Sequence, residues 1–108
     1  MELAFGTRQL RAICENQTVA ELSLSSLVSQ QLRGRLADLH AARSLEELVA
    51  GRPMLDPDDE RFLMLGLAEG VVLTIQVNHT DPPLLDDGTV DWTRVRRLKI
   101  VSIGGKHG

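Results

Sequence analysis

The sequence is poor in aromatic residues and in cysteine, and both shortages exclude classes of protein. Two phenylalanines and one tryptophan are its only aromatic residues, too few for the base stacking by which many proteins bind single-stranded nucleic acid. The single cysteine, Cys14, excludes an internal disulfide and has no zinc-ligand spacing, so we expect it to be a small core residue. His40 and His79 also stand apart from any second ligand. No metal and no cofactor are therefore expected.

Long apolar runs are missing as well. The most apolar stretch, residues 62–77, is interrupted by Gly66, Glu69 and Gly70. It is also shorter than the ~20 residues that a membrane-spanning helix needs. The first residues lack the basic and apolar segments of a secretory signal. We therefore expect a protein of the reducing cytoplasm that has no membrane partner.

The length and composition of the chain indicate one domain covering residues 1–108. Of these 108 residues, 43% are hydrophobic and 25% are charged, which is typical of a globular chain. Leu3 and Phe5 alternate with other residues in the segment 2–5, which predicts a short strand with both on one face. Thr7 can cap a helix that runs to about Glu15, and a second, long helix begins among the polar residues 18–23 and ends near Ala42.

The second half of the sequence predicts strands. Two polar loops, residues 51–60 and 78–90, contain all four prolines and many of the acidic residues. Between and after them come three runs rich in branched apolar residues, the first two joined by the hairpin turn Ala68-Glu69-Gly70. These runs cover residues 62–67, 71–77 and about 94–103.

This order of elements predicts an α+β fold. We expect a small curved antiparallel sheet with the two N-terminal helices packed on one face. Trp92, the only tryptophan, is expected to be a packing anchor at the entrance to the last strand. Along that strand Val95, Leu98 and Ile100 are predicted to point inward, and Arg97 departs from strict alternation, which indicates a bulge.

Charge is distributed unevenly along the chain. Residues 92–108 carry five basic side chains and no acidic one, so the net charge of −3 divides into +5 there and −8 over residues 1–91. A cationic segment on an acidic protein needs an anionic partner or a solvated face. The second alternative stays open: the strand is a charged, solvated face whose basic residues pair with acids of the same chain, such as Glu69 or Asp91. The five basic residues are Arg94, Arg96, Arg97, Lys99 and Lys106.

Four segments together resemble a known family. They are a helix start at residues 10–14 (Leu-Arg-Ala-Ile-Cys), a helix at 31–42, the stretch Asp-Gly-Thr-Val-Asp-Trp-Thr-Arg-Val at 87–95, and a strand that closes in His-Gly. In content and order they resemble the RelE/ParE superfamily of bacterial toxins. The resemblance is to the HigB-like branch, which includes proteins labelled "killer" or "killer suppression" proteins.

The resemblance implies a fold, an activity and partners. It implies a single RelE-like domain that is the toxin of a type II toxin–antitoxin pair, as used in plasmid maintenance. Such toxins are typically mRNA interferases, metal-independent endoribonucleases that cut mRNA in the ribosomal A site. The implied partners are a cognate antitoxin encoded next door, of helix-turn-helix type, and for an active nuclease the ribosome and mRNA.

The residues available for this chemistry are mostly near the chain's end. Metal-free RNA cleavage needs a general base, a general acid and fixed positive charge on the phosphate. His107 matches the position where relatives often end in His or Tyr, and with Arg96 and Lys106 it forms the expected catalytic set. Arg61, Arg94, Arg97 and Lys99 are the residues expected to bind phosphate, RNA or a protein partner.

The chain departs from the family at two places that matter for RNA. Where relatives have a basic loop before the hairpin, this chain has Asp56, Asp59 and Glu60, and the expected strand arginine falls on about Val72. Carboxylates there repel RNA. A second hypothesis is therefore a catalytically weak or inactive RelE-fold binding module that pairs with an antitoxin-like partner. A third, a metabolic enzyme, has no supporting motif.

Overall fold

Polar caps divide the N-terminal part of the chain into three helices. The side chains of Thr7, Asn16 and Ser25 each accept a hydrogen bond from the backbone N–H three residues further on, which satisfies a donor left unpaired in the first helical turn. In the computed structural model, which describes residues 1–104, these helices are α1 (Arg8–Glu15), α2 (Gln17–Ser23) and α3 (Ser26–Ala41).

The prediction of one long second helix is therefore wrong, because this segment forms two helices, α2 and α3. Leu24 adopts an extended backbone and ends α2, and Ser25 rather than a residue of the 18–23 segment caps the helix that follows. Of the apolar residues that a helical period predicts to be buried here, Val28, Leu32, Leu36 and Leu39 are buried. Leu27, predicted to be buried as well, is 51% exposed. The break escapes a periodicity argument because both helices bury apolar residues in the same core.

Five strands form one mixed sheet that is not closed, and the predicted α+β class is confirmed. The spatial order is β1-β5-β4-β3-β2, with β1 parallel to β5 and the other neighbours antiparallel. The expectation of a wholly antiparallel sheet is therefore corrected at β1. The strands are β1 (Glu2–Phe5), β2 (Met54–Asp56), β3 (Asp59–Gly66), β4 (Val72–Val77) and β5 (Arg97–Gly104).

Strand β2 lies inside the segment predicted to be a loop. The carboxylate of Asp56 accepts the backbone N–H of Asp58 at 2.9 Å, which closes a tight turn and starts β3 at Asp59. The loop at 51–60 is therefore partly a short hairpin, β2 with β3, and β2 forms one edge of the sheet.

The helices cover one face of the sheet. Apolar side chains from alternate positions of β3, β4 and β5 share a core with Leu32, Leu36 and Leu39 of α3. The bulge predicted at Arg97 is not found there. The register shifts further along β5, where Val101 is the extra residue. The buried strand residues of this core are Leu63, Leu65, Leu73, Ile75, Val77, Leu98 and Ile100.

Within residues 1–104, no helix has the length and apolar content that crossing a membrane requires.

Two glycines give a matched test of this packing. Gly51 has φ +83°, and an added Cβ would lie 3.1 Å from the carbonyl oxygen of Gly66, so Gly51→Ala should lower the free energy of unfolding by about 1–2 kcal/mol. Gly34 lies inside α3 with open space around it, so Gly34→Ala should raise that free energy by up to ~1 kcal/mol. Urea denaturation measures both, and changes of the same sign would contradict the packing described.

Candidate functional site

The cationic residues near the start of β5 are positioned by Trp92. This side chain is buried, as predicted for an anchor, and its indole N–H donates to the carbonyl oxygen of Glu60 at 2.8 Å. The carboxylate of Glu60 also accepts the backbone N–H of Val90 at 3.1 Å. The long loop before β5 is thus attached to β3 at two points, which fixes where the basic segment begins.

Asp91 organises the short turn that follows. Its carboxylate accepts the backbone N–H of Thr93 at 3.1 Å and Nε of Arg94 at 2.8 Å, and so caps the 3-10 turn Trp92–Arg94. Hydrogen bonds from Thr93 and Arg94 hold the pKa of Asp91 below its usual value. Arg94 also donates to the carbonyl oxygen of Leu84 at 3.0 Å, so its guanidinium is largely committed to local structure.

Two further cations are also paired with carboxylates. Arg61 contacts Asp59 at 2.8 Å, and the hydrogen bonds from Arg61 hold the pKa of Asp59 below its usual value. Arg97 contacts Glu2 on the neighbouring strand at 2.8 Å. Such exposed pairs add little stability, but each places a negative charge beside a cation that was expected to bind phosphate.

The alternative of a strand paired with acids is therefore partly observed. Asp91 does pair with the basic segment, at Arg94. Glu69 does not, because the hydroxyl of Ser25 donates to its carboxylate instead.

Arg96 and Lys99 differ from Arg61, Arg94 and Arg97. Among residues 1–104, neither has a carboxylate oxygen within the 4.0 Å that defines an ion pair. Nη1 of Arg96 donates to the carbonyl oxygens of Thr93 and Val95, both at 2.9 Å, which leaves Nε and Nη2 for another acceptor. Lys99 lies between Ala4 of β1 and Gln76 of β4. These two side chains are the best placed to hold an anion.

His79 is a member of this site that the sequence did not reveal. Its Nε2 accepts the backbone N–H groups of Arg96 at 2.9 Å and Arg97 at 3.2 Å. This requires a lone pair on Nε2, as in an imidazole with its proton on Nδ1. Because His79 lies two residues after β4 and Arg96 directly precedes β5, antiparallel pairing of these strands was the signal that could have placed them together.

The structure does not bring all the predicted site residues to one face of the sheet. Side chains alternate along a strand, so Arg61 falls on the face of buried Leu63, which the helices cover, whereas Lys99 falls on the other face, next to buried Leu98. Lys106 and His107, two of the three residues expected to be catalytic, lie outside the described residues.

The acidic residues at the family's basic positions have structural partners. Asp56 closes the β2–β3 turn, Asp59 binds Arg61, and Glu60 holds the loop that carries Trp92. Val72, at the expected place of an arginine, is the first residue of β4 and lies opposite Gly104. At the three acidic positions, the departure from the resembled pattern therefore has a role in the fold of this chain.

Cys14 lines a groove between α1, α3 and β1. Burial raises the pKa of its thiol to about 11, with a smaller contribution from Glu15, so at neutral pH the group is a thiol rather than a nucleophilic thiolate. Within residues 1–104, no cluster of three or more His, Cys, Asp or Glu side chains is arranged to hold a metal ion.

Comparison with known proteins identifies no relative. No model of a protein family matches the chain, and neither a curated protein nor a solved structure matches it.

His79→Ala should loosen the start of β5. The substitution removes the acceptor of two backbone N–H groups, and because both can turn to water the expected loss of unfolding free energy is about 1 kcal/mol. Amide hydrogen exchange at Arg96 and Arg97 should quicken, while exchange in β3 stays unchanged. His40→Ala is the matched control, since His40 is exposed and its side chain has no hydrogen bond among residues 1–104. Equal exchange at Arg96 in both variants would contradict the assigned contact.

Alkylation of Cys14 by iodoacetamide should be slow in the folded chain. Its rate should climb between pH 9.0 and about 11, whereas in urea it should level off above the ordinary pKa of 9.0. Because the unfolded chain ionises first, stability should also fall as pH rises through this window. Mass spectrometry follows the reaction, and equal rates in the folded and unfolded chain at pH 8 would show an accessible thiol.

Proposed function

We propose that this chain is the toxin component of a bacterial type II toxin–antitoxin system, and that its main activity is binding an antitoxin-like partner. The pairing with an antitoxin is inferred from the resemblance to HigB-like proteins. The neutralisation of the basic segment supports binding over cleavage, since Arg61, Arg94 and Arg97 each have a carboxylate at 2.8 Å.

Charge neutralisation bears directly on the chemistry. A ribonuclease that works without metal stabilises the transition state by fixed positive charge aimed at the phosphate, and this contribution is usually the largest one. A carboxylate in contact with each arginine reduces that field and repels the phosphate. Of the five described cations expected to bind phosphate or to act in cleavage, Arg96 and Lys99 are left for this purpose.

Cleavage of mRNA in the ribosomal A site is the second candidate function. It is favoured by Arg96, whose Nε and Nη2 are uncommitted within residues 1–104, and by His107 as the candidate general base or acid. In this hypothesis Lys106 and Lys99 add positive charge near the phosphate.

Two measurements separate these functions. The first is co-expression with the protein encoded by the neighbouring reading frame, followed by purification of the complex. We expect a small helix-turn-helix protein that co-purifies in a fixed ratio. The second is primer extension on cellular mRNA after induction of this chain alone, for which we expect no codon-spaced cuts.

The outcomes are distinct. Codon-spaced cuts that disappear in both Arg96→Ala and His107→Ala would replace the binding role by the interferase. Gly34→Ala serves as the control, because Gly34 lies in α3, away from the basic segment, and the substitution should leave any cleavage unchanged. An unrelated neighbouring gene, with no co-purifying protein and no cuts, would refute the toxin–antitoxin assignment.

A further inference from the structure

The side chain of His79 completes the pairing of β4 with β5. The last strand pair is Val77 with Leu98, and one step further the N–H of Asn78 donates to the carbonyl oxygen of Arg97 at 2.9 Å. Opposite residues of an antiparallel hydrogen-bonded pair normally exchange two such bonds. Among residues 1–104 the reciprocal bond is missing, because the N–H of Arg97 donates to Nε2 of His79 at 3.2 Å instead. An imidazole therefore occupies the place of a backbone acceptor.

The same ring nitrogen also accepts the N–H of Arg96, at 2.9 Å. Both donors are backbone amides, which cannot act as acceptors through nitrogen. The contact therefore exists only while Nε2 has a lone pair. A protonated imidazole carries an N–H at both ring nitrogens and would point a third donor at the other two. Because imidazole is the side chain that ordinarily gains a proton between about pH 8 and pH 5, the end of this ladder depends on solution pH.

The charged groups around His79 oppose a proton at this position. The two residues that donate to it, Arg96 and Arg97, each carry a guanidinium. Glu2 of β1 and Arg97 line the same hollow as the residues on either side of His79, but the carboxylate of Glu2 already contacts Arg97 at 2.8 Å. On the segment of His79 itself, Asp81 is exposed, so solvent screens its charge. Acid should therefore displace the imidazole rather than leave it charged in place.

Two hydrogen-bonded arrangements are open to this segment. With a neutral imidazole, both amides donate to His79. Once the ring has left, the N–H of Arg97 can take the carbonyl oxygen of Asn78, which is its ordinary ladder partner. The N–H of Arg96 precedes the strand and has no such replacement, so it turns to water. A segment with two discrete arrangements, one of which is selected by protonation of a histidine, is the basis of a pH switch.

We propose that His79 is a pH-sensitive switch that holds residues 78–80 against the start of β5 at neutral pH and releases them in mild acid. The switch does not depend on the proposed pairing with an antitoxin. Its effect falls on Arg96, whose backbone is held by His79 and whose Nε and Nη2 are uncommitted among residues 1–104. Since the folded chain at neutral pH keeps His79 unprotonated, the stability that this contact contributes is lost as pH falls.

Nuclear magnetic resonance of the full chain tests the switch. At neutral pH, the imidazole nitrogens of His79 should show the proton on Nδ1. Amide exchange is then measured between about pH 8 and pH 5, with each rate corrected for the intrinsic effect of pH. The protection of the Arg96 amide should fall about fivefold over this range, as expected for the loss of one hydrogen bond. Arg97 should lose less protection, and Leu63 of β3 should lose none.

Three variants identify the titrating group. His79→Gln supplies a carbonyl oxygen that accepts a hydrogen bond and does not titrate, so the protection of Arg96 should stay nearly constant with pH. Glu2→Gln removes the carboxylate that lines the neighbouring hollow and should keep the response of the unmodified chain. His40→Ala, which alters an exposed histidine elsewhere, should keep it as well. If His79→Gln fails to fold, the protonation state of the His79 ring and the protection of Arg96 can still be compared within the unmodified chain.

Several results would overturn the proposal. These are a proton on Nε2 of His79 at neutral pH, equal protection of Arg96 at both ends of the pH range, or the same fall in folded His79→Gln. A response that disappears in Glu2→Gln would make Glu2 the titrating group. The toxin assignment fails separately, because it is tested by the neighbouring gene and by mRNA cleavage, and neither measurement depends on the pH response of Arg96.

Discussion

The attachment of Trp92 to Glu60 is the contact on which the site depends. One residue of β3 receives the indole N–H through its carbonyl oxygen and the Val90 N–H through its carboxylate. Burial of the indole adds the hydrophobic contribution of a large side chain. The loop that precedes β5 is therefore fixed at Val90 and Trp92. This attachment sets where the segment with Arg94, Arg96 and Arg97 begins. An acidic residue at position 60 has a structural reason that is independent of nucleic acid.

The sequence predicted the elements that depend on local pattern and missed those that depend on distant pairing. Alternation identified Leu98 and Ile100 as inward residues, and Thr7 marked the start of α1. The parallel pairing of β1 with β5 joins residues almost a hundred positions apart, and no spacing in a sequence encodes such a contact. β2 was missed for a different reason. Its hairpin is local, but the turn closed by Asp56 lies in a segment rich in proline and acidic residues, which is typical of a loop.

A similar division holds within the candidate site. The pairs Asp59–Arg61 and Asp91–Arg94 lie within three residues of each other, so a spacing argument could have predicted them. The contacts Glu2–Arg97 and His79–Arg96 form only after the sheet has brought β1, β4 and β5 together. Counting charges along the sequence gave the basic segment its sign, but the fold decides how much of that charge remains unpaired.

The parallel pairing at β1 has a consequence for synthesis on the ribosome. β1 is made well before its partner β5, which ends at Gly104. The two cannot pair until nearly all of the described chain has emerged, so β1 joins the sheet late in translation. During that interval β1 has no partner strand on either edge. Chaperones therefore have most access to β1 at this stage of synthesis.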